Sequence, residues 1–173
     1  MKNSGNYTIL GFILIAIICR LALESFNISW EYTWSYLSLL TIASSYFGLY
    51  SQRHTSEEDF DFMMDIKGAA QGGAYFAIGY GVFTYVFYKF IHPHFLETFI
   101  EQRKADILNA LSESNASEEV ITAAVENFTS FADMIYVPGN LAIITVTALT
   151  FLSVFYAIIF SVITKFFPKF VNK

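Results

Sequence analysis

Four stretches of the chain run without a charged residue: Asn3 to Cys19, Tyr32 to Gln52, Gly68 to Tyr88 and Met134 to Thr164. Each reaches or approaches the roughly 17 to 25 residues that carry a helix across about 30 Å of hydrocarbon. The pattern predicts an all-α fold, a four-helix transmembrane bundle with spans over about residues 7–23, 33–50, 68–91 and 141–163. The first run is the shortest, and Arg20 and Glu24 stand near its end. A cleaved signal peptide competes for it, because Lys2 precedes the apolar stretch from Ile9 to Ile18, but no small-x-small cleavage site follows. A lipoprotein site at Cys19 would want a small residue where Ile18 stands, so the segment is read as a helix.

Between the third and fourth spans the pattern becomes amphipathic. Phe95, Phe99, Ile100, Ile107, Leu108 and Leu111 follow helical spacing, with Glu97, Glu101, Arg103, Lys104 and Asp106 elsewhere on the wheel. Ser112 to Ala116 interrupts that helix, and Ser117 followed by Glu118 and Glu119 reads as a cap with acids in the first turn of another. The second helix sets Val120, Ile121, Ala124, Val125, Phe128, Phe131 and Ile135 on one side, and Pro138 with Gly139 stops it. The expectation is a soluble, extracytoplasmic helical hairpin over about residues 93–137, within a single membrane domain of residues 1–173.

Small and hydroxylated residues predict how the spans pack. Ser35, Ser38, Thr41, Ser44 and Ser45 on the second span suit close contact and cross-helix hydrogen bonds in lipid. On the third span Ala69, Gly73, Ala77 and Gly81 recur every four residues, with Gly68 and Gly72 beside them. Residues four apart share a face, so these six form a groove for another backbone, from the same chain or from a second copy.

Composition and charge then locate the chain. Hydrophobic residues are 55% of the sequence and charged ones 14%, well below the roughly 25% of a soluble domain, so the apolar surplus needs lipid. Lys2, Arg53, Lys67, Lys165, Lys169 and Lys173 fall on one side of a four-span bundle, and Arg20, Lys89, Arg103 and Lys104 on the other. The positive-inside rule makes the first side cytoplasmic, with both termini there. Trp30, Tyr32 and Trp34 fit an interfacial belt at the outer end of the second span. From His92 to Pro138 there are eight acidic and two basic residues, a net −6 against −5 for the whole chain, which argues against docking on nucleic acid or anionic headgroups.

Candidate chemistry is sparse. Arg20 and Glu24 lie four apart on one helix face, and the expectation for them is interfacial anchoring, with Arg20 reaching the headgroups; the sharper alternative is an intramembrane gating pair. Gln71 and Asn140 are the other strong polar groups near the membrane, expected to hydrogen-bond between helices. His92 and His94 flank Pro93 without the further ligands of a zinc site, and the acidic loop with Glu57, Glu58, Asp59, Asp61 and Asp65 lacks the central Gly and closing Glu of a calcium loop. The single cysteine, Cys19, allows no intrachain disulfide and is expected to be inert packing. No phosphate loop, nucleophile elbow or HExxH is present, so no catalytic residue, metal ligand or cofactor is expected.

Five stretches follow one another along the chain: Phe47-Gly48-Leu49-Tyr50 running into Arg53, Phe62 to Gly68, Pro93-His94-Phe95-Leu96-Glu97, Asn115-Ala116-Ser117-Glu118-Glu119 and Ile159 to Lys165. Their order and spacing resemble the DUF4199 family of small bacterial inner-membrane proteins, found mainly among Bacteroidota. The resemblance implies a bacterial inner-membrane location and assigns no activity. Relatives often carry an acidic residue and a Pro-Gly pair within the fourth span, where this chain has Ser153, Tyr156 and Ala157, so a mechanism using that carboxylate is not implied here. The functional expectation is a non-enzymatic scaffold or accessory subunit of a cell-envelope complex, with the lipid bilayer and a membrane-protein partner or second copy as its contacts. The competing expectation is a subunit of a small transporter or channel, with a path lined by Ser35, Ser38, Ser45, Gln71, Thr145 and Ser153.

Overall fold

The computed structural model describes residues 4–26, 32–55 and 61–166. The expected interfacial Trp30, the loop acids Glu57, Glu58 and Asp59, and the terminal lysines Lys2, Lys169 and Lys173 lie outside the described residues. Among those described, the secondary structure is entirely helical: α1 (Ser4–Ser25), α2 (Tyr32–Thr55), α3 (Phe62–Val86), α4 (His94–Glu113), α5 (Glu118–Ile135) and α6 (Pro138–Phe166), with a π-helical turn (Phe87–Ile91) continuing α3.

Several boundaries lie outside those of the sequence reading, and two of the starts have local reasons. α3 starts at Phe62 rather than near Gly68, because nothing between them breaks a helix and Asp65 favours the positive end of the helix dipole. α6 starts at Pro138 itself, where the fixed φ of proline and its missing N–H are compatible with a first turn.

Three helices are long and apolar enough to cross a membrane: Tyr7–Ser25, Phe62–Ile91 and Pro138–Phe166. That makes the chain a helical membrane protein by length and composition. The fourth expected span, α2, is not among them, since its hydroxylated residues, Gln52 and Arg53 dilute its apolarity.

The chain divides into two compact units, Met1–Gly81 with Thr145–Lys173, and Val82–Ile144. In the first, α2 and α3 approach backbone to backbone. A Cβ placed on Gly48 would lie 2.4 Å from the Gly68 carbonyl oxygen and 2.8 Å from the Gly72 Cα, and one on Gly72 would lie 2.4 Å from the Ser44 carbonyl oxygen. α6 closes the seam: a Cβ on Gly73 would sit 2.2 Å from Ser153 Oγ and 2.6 Å from Ser45 Oγ. Ser153 Oγ donates to the Ala70 carbonyl (3.1 Å), and Leu49, Ala69 and Ala157 form a buried cluster flanked by Tyr46, Ile66, Ala70 and Phe160. α1 is added through Phe12, whose ring centroid lies 5.5 Å from that of Phe47, and through Ile13, which fills the space beside Gly79.

In the second unit α4 and α5 pack against each other across a short turn; Leu96 on α4 and Ala132 on α5 are buried, and the Phe99 and Tyr136 rings lie 5.2 Å apart. α4 ends in a Schellman motif: the Ala116 N–H donates to the Leu111 carbonyl and the Asn115 N–H to that of Ser112. Asn115 holds the required left-handed conformation (φ 54°), which asparagine tolerates better than most residues. Ser117 occupies the N-cap position of α5, but its side chain makes no capping bond. Of the residues expected on the apolar faces, Leu108, Val120 and Phe131 are exposed.

The α2–α3 approach makes a direct test. Gly72→Ala inserts a methyl against backbone that cannot yield without separating the helices, so thermal unfolding in detergent shifts down by the equivalent of about 1–3 kcal/mol. Gly11→Ala, with nothing within 4 Å, leaves the melting temperature unchanged or slightly higher.

Candidate functional site

The strongest polar constellation joins three helices of the first unit. Arg53, in the last turn of α2, donates through Nε to Asp65 Oδ1 (2.8 Å) and through Nη2 to Asp65 Oδ2, a bidentate fork onto the first turn of α3. From α6 the Thr164 hydroxyl lies 3.1 Å from Asp65 Oδ2 and 3.1 Å from the Ser161 carbonyl oxygen, which share its one proton. The side chains of Arg53 and Asp65 are 9% and 6% exposed. Both charges also suit their places on the helix dipoles, cation at a C-terminus and anion at an N-terminus. Each carboxylate oxygen of Asp65 thus accepts a charge-assisted bond from Arg53, which ties the start of α3 to the end of α2.

A second constellation lies toward the other ends of α2 and α3. Arg20 Nη2 meets Glu24 Oε2 at 3.0 Å on α1, and the Tyr36 and Tyr80 hydroxyls are 2.9 Å apart between α2 and α3. Arg20 is within electrostatic reach of Tyr36. It is only 3% exposed, so its guanidinium does not extend outward as expected of an interfacial anchor. Glu24, one turn on and partly exposed, supplies the compensating charge.

Between these clusters runs the small-residue seam. Ala69, Gly73, Ala77 and Gly81 are buried, as are Gly68 and Gly72, and the contacts of Gly68, Gly72 and Gly73 are with α2 and α6 of the same chain. Thr41, Ser44 and Ser45 are fully buried, whereas Ser35 is exposed and Ser38 Oγ bonds back to the Trp34 carbonyl (2.8 Å). The Ser44 and Ser45 hydroxyls have no hydrogen-bond partner among the described residues.

The remaining candidates scatter. Gln71 is exposed and donates to the Tyr75 hydroxyl one turn along its own helix (2.7 Å), not to a neighbouring helix. Asn140 Nδ2 donates to the Met134 carbonyl (2.6 Å), tying the start of α6 to the end of α5. His94 Nδ1 lies 3.1 Å from Glu97 Oε2 on an exposed surface, while the His92 ring packs near Phe87 and Phe95. Among the described residues no three His, Cys, Asp or Glu side chains are placed to share a metal ion. The six residues of the expected transport path do not line one route: Ser45 and Ser153 meet at Gly73, Ser35 and Gln71 face outward, and Thr145 is buried elsewhere along α6.

Sequence reading missed Thr164 and the α6 face that carries it. Thr145, Leu149, Ser153, Ala157, Ser161 and Thr164 are all buried, and their spacing of four, then three, was available as a signal. The sequence reads Asp65 as one acid of a loop that also holds Asp61 near Arg53; its position in a first helical turn, opposite an arginine in a last turn, is the cue to the pair.

Three helices long and apolar enough to cross a membrane, with a seam of glycine and serine packed between helices, mark a helical membrane protein. The chain belongs to the DUF4199 family: the model of that family, described as a protein of unknown function, matches residues 5–166, nearly the whole chain. Neither comparison, with curated proteins or with solved structures, finds a match.

The cluster predicts an asymmetry between single and double variants. Asp65→Ala strands a buried guanidinium and lowers stability in detergent by about 3–5 kcal/mol, whereas Arg53→Met with Asp65→Leu removes both charges and recovers most of that loss. Equal destabilisation by the single and double variants, followed by thermal unfolding, contradicts the account.

Proposed function

We propose that this chain is a non-enzymatic scaffold or accessory subunit of a complex in a bacterial inner membrane, with α1, α2, α3 and α6 all crossing the bilayer and both termini cytoplasmic. Support for α2 as the fourth span comes from its two attachments. Tyr36 near its start bonds α3 at Tyr80, and Arg53 near its end bonds α3 at Asp65. Along α2 these points are about 26 Å apart and along α3 about 22 Å, so α2 traverses the same thickness as a helix apolar enough to span. Its buried hydroxyls at Thr41, Ser44 and Ser45 face helices rather than lipid, which is where a spanning helix tolerates them.

One observation carries the choice of scaffold over transporter: the seam where polar groups from three helices converge is closed. Ser45, Ser153 and the Ala70 carbonyl meet around Gly73, yet a single methyl there would overlap both hydroxyls. A conduction path needs polar groups from several helices opening at one depth. The seam instead holds three helices closely together, and contact with a partner falls to α5, which carries Glu119, Glu126 and Asp133 at seven-residue intervals, all exposed. That acidic row is the contact surface this reading assigns to a basic partner.

Affinity purification from native membranes tests it. Replacing Glu119, Glu126 and Asp133 together with lysine removes specific partners while the protein still inserts and melts as the parent does. Identical partner lists for parent and variant eliminate the hairpin surface, and solute flux through the purified protein in vesicles eliminates the scaffold.

A further inference from the structure

The small-residue groove of α3 is occupied within the chain, so association with another chain needs a different face of that helix. Directly opposite the buried side, a straight row of exposed residues runs along α3: Met63, Lys67, Gln71, Tyr75, Ile78 and Val82. On the outward faces of α1 and α6 the exposed large residues are almost all aliphatic or aromatic, as lipid contact requires. Gln71 breaks that rule. Among the described residues of the three candidate spans, it is the only exposed amide side chain more than one turn from a helix end.

Gln71 lies four residues, about 6 Å, deeper than Lys67, whose long side chain can reach the headgroups. Its amide therefore sits at acyl-chain depth when α3 crosses the bilayer. One N–H donates to Tyr75 Oη. Among the described residues the second N–H and the carbonyl oxygen have no partner, and lipid offers none.

We propose that two copies of this chain associate in the membrane through the Lys67–Gln71–Tyr75–Ile78 face of α3, with the two Gln71 amides hydrogen-bonded to each other. The occupant is a second copy because an amide is self-complementary. Across a two-fold axis each carbonyl accepts from the other copy's N–H, and one residue satisfies both sides. A foreign helix would have to supply its own matched donor and acceptor at that depth. Tyr75 and Ile78 provide flat apolar contact beside the pair. Lys67 faces its counterpart only at headgroup depth, where water and lipid phosphates screen the repulsion. The proposal rests on α3 spanning the bilayer and is independent of the hairpin's partner, so the two can fail separately.

The experiment is in-membrane cross-linking in a Cys19→Ser background. Tyr75→Cys and Ile78→Cys each give a same-position disulfide dimer on mild oxidation, whereas Phe151→Cys, on the exposed face of α6, does not. Gln71→Leu in detergent sedimentation weakens self-association about tenfold, and Gln71→Asn, which keeps both donor and acceptor, retains most of it. Because residue 71 is exposed, the leucine variant melts as the parent does. The proposal is overturned by absence of the same-position disulfides, by a cross-linked product of a mass other than twice the chain, or by a dimer indifferent to Gln71→Leu.

Discussion

A carboxylate withdrawn from water stays charged only while donors surround it, and at Asp65 those donors come from two other helices. Arg53 brings the end of α2 to the start of α3, and Thr164 brings the end of α6 to the same point. Lipid supplies no hydrophobic force between helices, so close packing and polar bonds must hold such a bundle together. Breaking this pair exposes two ions to an apolar surrounding at once, which makes register at this end of the bundle close to all-or-none. The Tyr36–Tyr80 bond does the same, more weakly, toward the other ends of α2 and α3.

With both ends fixed, the middle can be built for proximity. Gly48 and Gly72 let two backbones touch, and Gly73 lets Ser45 and Ser153 come together from α2 and α6. This contact gains dispersion energy over a long line but leaves the Ser44 and Ser45 hydroxyls without partners among the described residues, a cost that the tight seam tolerates only because its ends are anchored. The seam and the clusters are thus one device. Loosening the Asp65 cluster would free the glycines to slide, and widening the seam at Gly72 would pull Arg53 away from its acid.

Much of this was legible from residue order. Charge-free runs gave the helices, and the Ala69, Gly73, Ala77, Gly81 repeat marked a face that is indeed buried. What the sequence concealed depended on partners distant along the chain. Asp65 and Thr164 are 99 residues apart, and no local periodicity announces that they meet. Arg20 looked like an anchor because its position near a helix end suits one; its burial follows from Glu24 and the neighbouring α2, which only the packed structure brings together. Gln71 looked like interhelical glue, and its outward direction is set by the glycines on the opposite side of the same helix. The hydropathy of α2 is lowered by hydroxyls, of which Thr41, Ser44 and Ser45 are buried against other helices.

Three of the five stretches that carry the family resemblance contribute to the same part of the first unit. Gly48 and Arg53 fall in or beside the first, Asp65 and Gly68 in the second, and Ser161 and Thr164 in the last, Ile159 to Lys165. Separated in sequence, they converge on one end of one bundle and include every residue of the Arg53–Asp65–Thr164 cluster. These three stretches meet at the Arg53–Asp65–Thr164 cluster, which keeps the ends of α2, α3 and α6 in register beside the close backbone crossing of Gly48 and Gly72. On the proposed reading, partner contact then falls to surfaces that the cluster leaves free, the acidic side of α5 and the outward row of α3.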